Sequence, residues 1–303
     1  MGCLFGQDCH LYVILPYFNF CASAKRRSLF TDFVVRYAHT ERVRLVVVEC
    51  LGTMPLPSMP GVYLHIKTDS RDVLWIKESL VNVAINRLPK CWSYVAWVDA
   101  DIQFINDRWA RDTIDALHQF DIVQCFHTAI HLGPSGEPIK QDKSFGYMHL
   151  SSGTPYVKND KYGFWHPGFA WACTRSAYTR MGRLIDWAIL GSADRHMAFA
   201  LTGRVLDSAP GNVHTNYKTL LAKYQHSVKG LKLGWIPGTI LHHWHGSLED
   251  RKYKERWDIL TQGKYDPIAD IGLTKHGLVQ YTLSGKRFAR DILKYFKERN
   301  EDS

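Results

Sequence analysis

Asp99 and Asp101 close the apolar run Val95-Ala96-Trp97-Val98 and are the residues of this chain best placed for chemistry. Residues i and i+2 of an extended chain point the same way, so two carboxylates at that spacing can converge on one hard cation. Such a cation, Mg²⁺ or Mn²⁺, is what a diphosphate needs to have its charge neutralised. Two solvated acids at a strand end would read the same, but an uninterrupted apolar run suits a strand covered on both faces. Ligands collect beyond the carboxyl ends of such strands. A second stretch, Ile240-Leu-His-His-Trp-His-Gly246, offers imidazoles. Strand alternation predicts His243 and His245 on one face, as candidate ligands of the same cation, and His242 with Trp244 on the other. Purely structural histidines are the alternative. A separate zinc site lacks both a His-Glu-x-x-His motif and a cysteine pair. A third stretch, Gly191-Ser-Ala-Asp194, opens a helix with Asp194 in its first turn, where an acid also complements the helix dipole.

The elements that must position these groups alternate. Leu11 to Pro16 reads as a short strand. Phe30, Phe33, Val34, Tyr37 and Ala38 recur at helical spacing, and Leu45 to Glu49 is a second buried strand, which together make one βαβ unit. Residues 55–61, with three prolines and a glycine, form a loop. A helix is expected from about Val73 to Leu88, closed by Pro89. Asn106 caps a helix running to about Phe120, and Asp121 to Phe126 is a further strand. From 127 to about 164 no periodicity survives, and the stretch reads as a lid or acceptor-binding segment. The aromatics from Trp165 to Trp171 suit core packing. Thr174 caps a helix carrying Ala177, Met181, Leu184 and Ile185. Leu220, Leu221, Tyr224 and Val228 mark another, ended by Gly230. Ser247 and Asp250 form a capping-box-like start for a helix with Tyr253, Trp257 and Leu260. Lys286 to Arg299 holds six basic and two acidic residues around a Phe288, Ile292, Phe296 stripe. This segment reads as a solvated basic face, with nucleic-acid contact as the alternative.

The 303 residues can bury a sizeable core, and the net charge of +9 favours anionic partners such as nucleotide-sugars, nucleic acid or an anionic surface. Seven cysteines without a Cys-x-x-Cys pair read as reduced thiols. No apolar run approaches the roughly 18 residues of a membrane span, and no basic leader precedes one, so a cytoplasmic location is expected. Gly6 stands where a myristoylation motif at Gly2 would want Ser or Thr.

Leu74-Trp-Ile-Lys-Glu-Ser-Leu-Val-Asn-Val-Ala84, followed by a strand and Asp99-Ala-Asp101, resembles the nucleotide-diphospho-sugar transferases of the GT-A fold. The β-1,4-galactosyltransferase-like and family-2-like branches are the most similar. The resemblance spans residues 10–250 and rests on motifs in the expected order. It implies an α/β fold with a mostly parallel, Rossmann-like sheet. One domain would cover 1–265, with 10–126 as the nucleotide-sugar half and 127–265 as the acceptor-binding, metal-completing half. Residues 266–303 would form a basic helical extension. It further implies that Lys77 and Asn82 belong to the donor-binding helix, and that Pro16, Tyr17, Asn19, Arg26 and Arg27 form the first donor loop. Glu49 would meet the nucleoside. Trp171 would belong to the turn between donor and acceptor. Asp99, Asp101, His243 and His245 would hold Mn²⁺ or Mg²⁺, with Asp99 also on the donor side. Asp194 would be the catalytic base, although Ala193 precedes it where galactosyltransferases are richer in Trp, Gly and Glu. The implied activity is inverting transfer of a hexose, with UDP-sugar as the favoured donor, to an acceptor hydroxyl on a glycan or protein. The same chemistry on a hydroxymethylated DNA base is an alternative, suggested by the positive charge. A sugar nucleotidyltransferase is an alternative of another class, but residues 16–25 lack the glycines of its phosphate loop.

Overall fold

The computed structural model describes residues 9–52, 55–152, 165–247, 252 and 255–302. Along the chain run β1 (Leu11–Tyr17), α1 (Ala24–Tyr37), β2 (Val43–Leu51), β3 (Leu64–Asp69), α2 (Lys77–Ile85), β4 (Tyr94–Val98), β5 (Ile102–Phe104), α3 (Trp109–Ala116) and β6 (Ile122–Gln124). They are followed by β7 (Thr128–Leu132), β8 (Pro138–Lys143), α4 (Phe145–Ser151), β9 (Ala170–Thr174), α5 (Arg175–Met181), α6 (Ala193–Leu201) and α7 (Thr215–Val228). The last elements are β10 (Leu233–Trp235), β11 (Thr239–His242), α8 (Glu255–Gln262), β12 (Ile271–Leu273), β13 (Val279–Tyr281) and α9 (Ala289–Glu298).

Seven strands form the main sheet in the order β10-β6-β9-β4-β1-β2-β3. Pairing is parallel from β3 through β4, while β9 runs antiparallel to both β4 and β6. The apolar runs are continuous because the sheet is covered on both faces. Tyr12, Ile14, Val46, Val48, Val95 and Trp97 enter one core, and Leu11, Val13, Leu15, Val47, Ala96 and Val98 enter the other. A smaller sheet, β5-β11-β7-β8, lies against the second core through Ile102, Phe104, Ala129 and Ile240.

Several expectations are corrected. The stretch 128–151, expected to lack elements, carries the β7–β8 hairpin and α4, whereas 153–164 lie outside the described residues. The hairpin escaped notice because β8 (PIKQDK) is a polar edge strand whose one fully buried residue is Asp142. β3 was also missed, and the helix expected from Val73 begins only at Lys77. Asn106 accepts from the Arg108 amide at 3.0 Å, three residues ahead of the first residue of α3, which ends at Ala116 rather than Phe120. Thr174 caps α5 as expected, its side chain accepting from the Ala177 amide at 3.1 Å. Asp250 of the expected capping box and Tyr253 of the helix expected after it lie outside the described residues.

The C-terminal segment expected as a solvated basic face turns its apolar stripe inward and keeps cations at the surface, the side chains of Arg290 and Lys294 being 92% and 73% exposed. The apolar side of α9 (Ile292, Tyr295, Phe296) is buried in the same core as Leu74 and Leu80. Lys294 lies 3.7 Å from Glu298, and Arg299 lies 2.9 Å from Glu301. The reduced-thiol expectation fails at Cys9, which is disulfide-bonded; Cys21, Cys50, Cys91, Cys125 and Cys173 are free. Among the described residues no helix is long and apolar enough to cross a membrane.

Candidate active site

β1 has β2 on one side and β4 on the other, so the connections leave the strand ends in opposite directions and a crevice opens between β1 and β4. A cleft occupies that crevice. Pro16 and Tyr17 from the end of β1 line it, as do Asp99, Ala100 and Asp101 beyond β4, His166 to Phe169 before β9, and Ser192 and Asp194 at the start of α6. The backbone is tightly specified here. The Asp99 amide donates to the Phe169 carbonyl at 2.8 Å, and both Phe169 (φ 76°) and Ser192 (φ 81°) are non-glycine residues in the left-handed region. Such strain persists only where the surroundings enforce it, and it clusters at functional sites.

Two groups of polar side chains face this cleft. In the first, the Lys77 ammonium bridges Asp99 Oδ1 at 2.6 Å and Asp194 Oδ2 at 3.1 Å. Burial works to lower the Lys77 pKa, but Asp194 and Asp99 outweigh it and hold it well above its ordinary value. Burial raises Asp99, against the pull of Lys77. In the second, His245 Nε2 lies 2.8 Å from Asp101 Oδ2, His242 Nε2 lies 3.8 Å from the same oxygen, and the two imidazole nitrogens are 3.3 Å apart. One ligand atom from each of Asp101, His242 and His245 falls within 4.8 Å of the others. A carboxylate oxygen and two ring nitrogens facing one another make a donor set that fits a first-row divalent cation, Mn²⁺ better than all-oxygen-seeking Mg²⁺.

The histidine pair differs from the one expected by alternation. β11 ends at His242, so the alternation stops there and His245 returns to the cleft beyond the strand. His243 instead donates its backbone amide to the Asp101 carbonyl at 2.8 Å, fixing the backbone of the carboxylate that His242 and His245 approach. Burial lowers the pKa of its imidazole, which lies outside the cluster.

Of the other sequence-predicted residues, Pro16, Tyr17, Arg26, Lys77, Asp99, Asp101, Asp194 and His245 line the cleft. Arg26 is held there by Glu301, with contacts at 2.8 and 2.6 Å. Asn19, Arg27, Glu49, Asn82 and Trp171 do not line it. Asn19 instead closes its own loop, accepting from the Ser23 amide at 2.9 Å. Glu49 is fully buried, accepting from the Leu56 amide at 2.8 Å and lying 2.8 Å from His65 Nε2. Asn82 ties α2 to α5 and the segment after it, accepting from the Tyr178 hydroxyl at 3.0 Å and the Leu184 amide at 2.9 Å. Trp171 donates to the Pro167 carbonyl at 2.8 Å from within the core. Sequence reasoning missed His242, Trp75, Glu78, Arg256 and Arg299 as cleft residues. Glu78 was legible in principle, as an acid inside an otherwise apolar helix. Arg256 and Arg299 come from distant segments that no local pattern links to the site.

The sheet order, its one reversed strand, the smaller sheet beside it and the Asp-x-Asp at the switch point make an α/β fold with a mostly parallel sheet and a ligand cleft where the strand order reverses. Among solved structures the chain is similar to a Drosophila β-1,4-galactosyltransferase 7 mutant complexed with manganese, UDP-Gal and xylobiose, at 12% identity and TM-score 0.42, over 92% of this chain and 97% of that one. It is similar to S. aureus TarS (residues 1–349) at 14% identity and TM-score 0.40, over 63% and 55% of the two chains. A third similar structure is the 4-diphosphocytidyl-2C-methyl-D-erythritol synthase of Anaerococcus prevotii, at 11% identity and TM-score 0.31, over 77% and 88%. No known sequence family and no curated protein matches the chain.

Proposed function

We propose that the chain is a metal-dependent glycosyltransferase that moves a hexose from a UDP-sugar to an acceptor hydroxyl with inversion. The observation that carries this reading is the juxtaposition in one cleft of an Asp101–His242–His245 ligand set with a Lys77-held pair of carboxylates, Asp99 and Asp194. Asp101, His242 and His245 would hold the cation, which would supply Lewis-acid stabilisation of the departing diphosphate. Asp194 is the general base. Its side chain is 23% exposed, and Lys77 orients it through Oδ2. The carboxylate takes the acceptor hydroxyl's proton as the new oxygen–carbon bond forms at the anomeric centre. The bond to the diphosphate oxygen breaks in the same displacement, and the nucleoside diphosphate leaves with the electron pair. With the base on the side opposite the leaving group, configuration inverts. Lys77 keeps the donor-side Asp99 and the acceptor-side Asp194 at fixed separation, which is the kind of preorganisation that lowers the cost of bringing two reactants together.

Calorimetric titration with UDP-glucose, UDP-galactose and GDP-mannose, with and without Mn²⁺, tests the proposal. The expected result is Mn²⁺-dependent binding of a UDP-hexose. Absence of binding by every donor in the presence of Mn²⁺ overturns it.

A further inference from the structure

Residues 300–302 fold back onto the mouth of the cleft. Gly246, the residue after His245, has a φ of 90°, and a Cβ added there would come within 2.7 Å of the Asn300 carbonyl oxygen and 3.3 Å of the Glu301 Cα. The segment therefore lies directly against the backbone that carries a candidate metal ligand. From there it places two carboxylates. Glu301 receives both prongs of Arg26, Nε to Oε2 at 2.8 Å and Nη2 to Oε1 at 2.6 Å, and its Oε1 also accepts from Arg299 Nε at 2.9 Å. Asp302 sits at the start of α1, accepting from the Ser23 hydroxyl at 2.6 Å and from the Ala24 and Lys25 amides at 3.2 and 2.9 Å.

Ordinary helix capping accounts for Asp302. It does not account for Glu301, whose two partners, Arg26 and Arg299, both line the cleft. A forked guanidinium–carboxylate pair is among the stronger polar contacts, and here the Glu301 and Arg299 side chains are only 13% and 5% exposed. The chain thus neutralises two cations of its own cleft. They stand beside the Asp101–His242–His245 set, where the reading given above, on which this inference rests, puts the donor's diphosphate. The start of the first helix after the first strand is also where α/β folds hold phosphate. Adjacent carboxylates on two guanidiniums and a helix start present the charge pattern of a diphosphate. We propose that Glu301 and Asp302 form an autoinhibitory latch, and that the donor's diphosphate must displace Glu301 from Arg26 and Arg299 to bind. A tethered carboxylate competes at high effective concentration, and donor affinity is reduced by the fraction of molecules in which the latch is shut.

The test titrates the wild type, Glu301→Gln and Asp302→Asn with UDP and, as an uncharged control, uridine, in the presence of Mn²⁺. Gln keeps the shape of Glu without its charge, and thermal midpoints check the fold. The expected result is about 10-fold tighter UDP binding by Glu301→Gln, unchanged uridine binding, and a gap between the two proteins that narrows as salt rises. Asp302→Asn loosens the anchor but leaves Arg26 paired, and should shift UDP affinity in the same direction by a smaller factor. Equal UDP affinity in all three proteins overturns the latch. Weaker binding by Glu301→Gln also overturns it and makes Glu301 a positioning group for the two arginines. Both outcomes leave the transferase reading standing. Absence of UDP binding by the wild type and by Glu301→Gln alike overturns the transferase reading and the latch with it.

Discussion

Two clusters in this molecule have the same composition, one aspartate and two histidines, and they differ in what surrounds them. Asp101, His242 and His245 face the cleft, and the Asp101 side chain is 23% exposed. His131, Asp142 and His166 bring their ligand atoms equally close, but the Asp142 side chain is 2% exposed and Lys140 Nζ sits 2.8 Å from Asp142 Oδ2. His131 Nε2 lies 2.8 Å from that same oxygen. The clusters are neighbours, the rings of His131 and His242 meeting edge to face with centroids 5.0 Å apart. Where an ammonium already neutralises the carboxylate, a divalent cation would have to displace it. At Asp101 two imidazoles approach the carboxylate in an open cleft, and a cation can enter without first displacing Lys140. Residue type and spacing therefore do not define a metal centre. Local charge balance and access decide between an ion site and a structural network.

The largest effect that would sharpen this contrast is expected at Asp101. Asp101→Ala removes the anionic ligand from the open cluster, while the backbone carbonyl that holds the His243 amide stays in place. Turnover should fall on the order of 10³-fold, with loss of Mn²⁺-dependent donor binding. Initial rates and titration check this, with circular dichroism to confirm the fold. Near-normal turnover would break the contrast at its root. Next comes Asp194→Asn, which preserves shape and the contact with Lys77 but removes the proton acceptor. kcat should drop roughly 10²- to 10⁴-fold while donor affinity changes little. Equal losses in both would make Asp194 a structural partner of Lys77 rather than the base.

How much of this was legible beforehand depended on how local each signal was. β1, β2 and β4 are uninterrupted apolar runs, and the acids at the end of β4 followed from them. Asp194 was placed correctly at the start of a helix because Gly191, Ser192 and the apolar spacing behind them are all adjacent in sequence. The histidine pair was half right. The alternation rule holds only while a strand lasts, and β11 ends at His242. Lys77 was expected as a donor contact, but its ammonium holds two carboxylates that lie 22 and 117 residues away in sequence. That partnership is a product of the fold and leaves no periodic trace. The same is true of the Arg26–Glu301 pair.

The smallest predicted effect tests the closed cluster and carries the other half of the contrast. Burial alone would raise Asp142, but the hydrogen bonds from His131 and Lys140, together with the charge of Lys140, outweigh it and hold the carboxyl below its usual range. A group whose pKa is lower folded than unfolded contributes stability that is fully present above the unfolded value and is lost as pH falls through the folded one. The wild type should therefore lose stability as pH drops below the ordinary aspartate range near 4. Asp142→Asn should be less stable at neutral pH by about 1–3 kcal/mol, with a shallower acid limb in denaturant titrations. Mn²⁺ stoichiometry, measured in parallel, should be unchanged, because the proposed ion site is Asp101 with His242 and His245. If the variant lost metal and kept its stability, the ammonium of Lys140 would no longer explain why two clusters of equal composition differ.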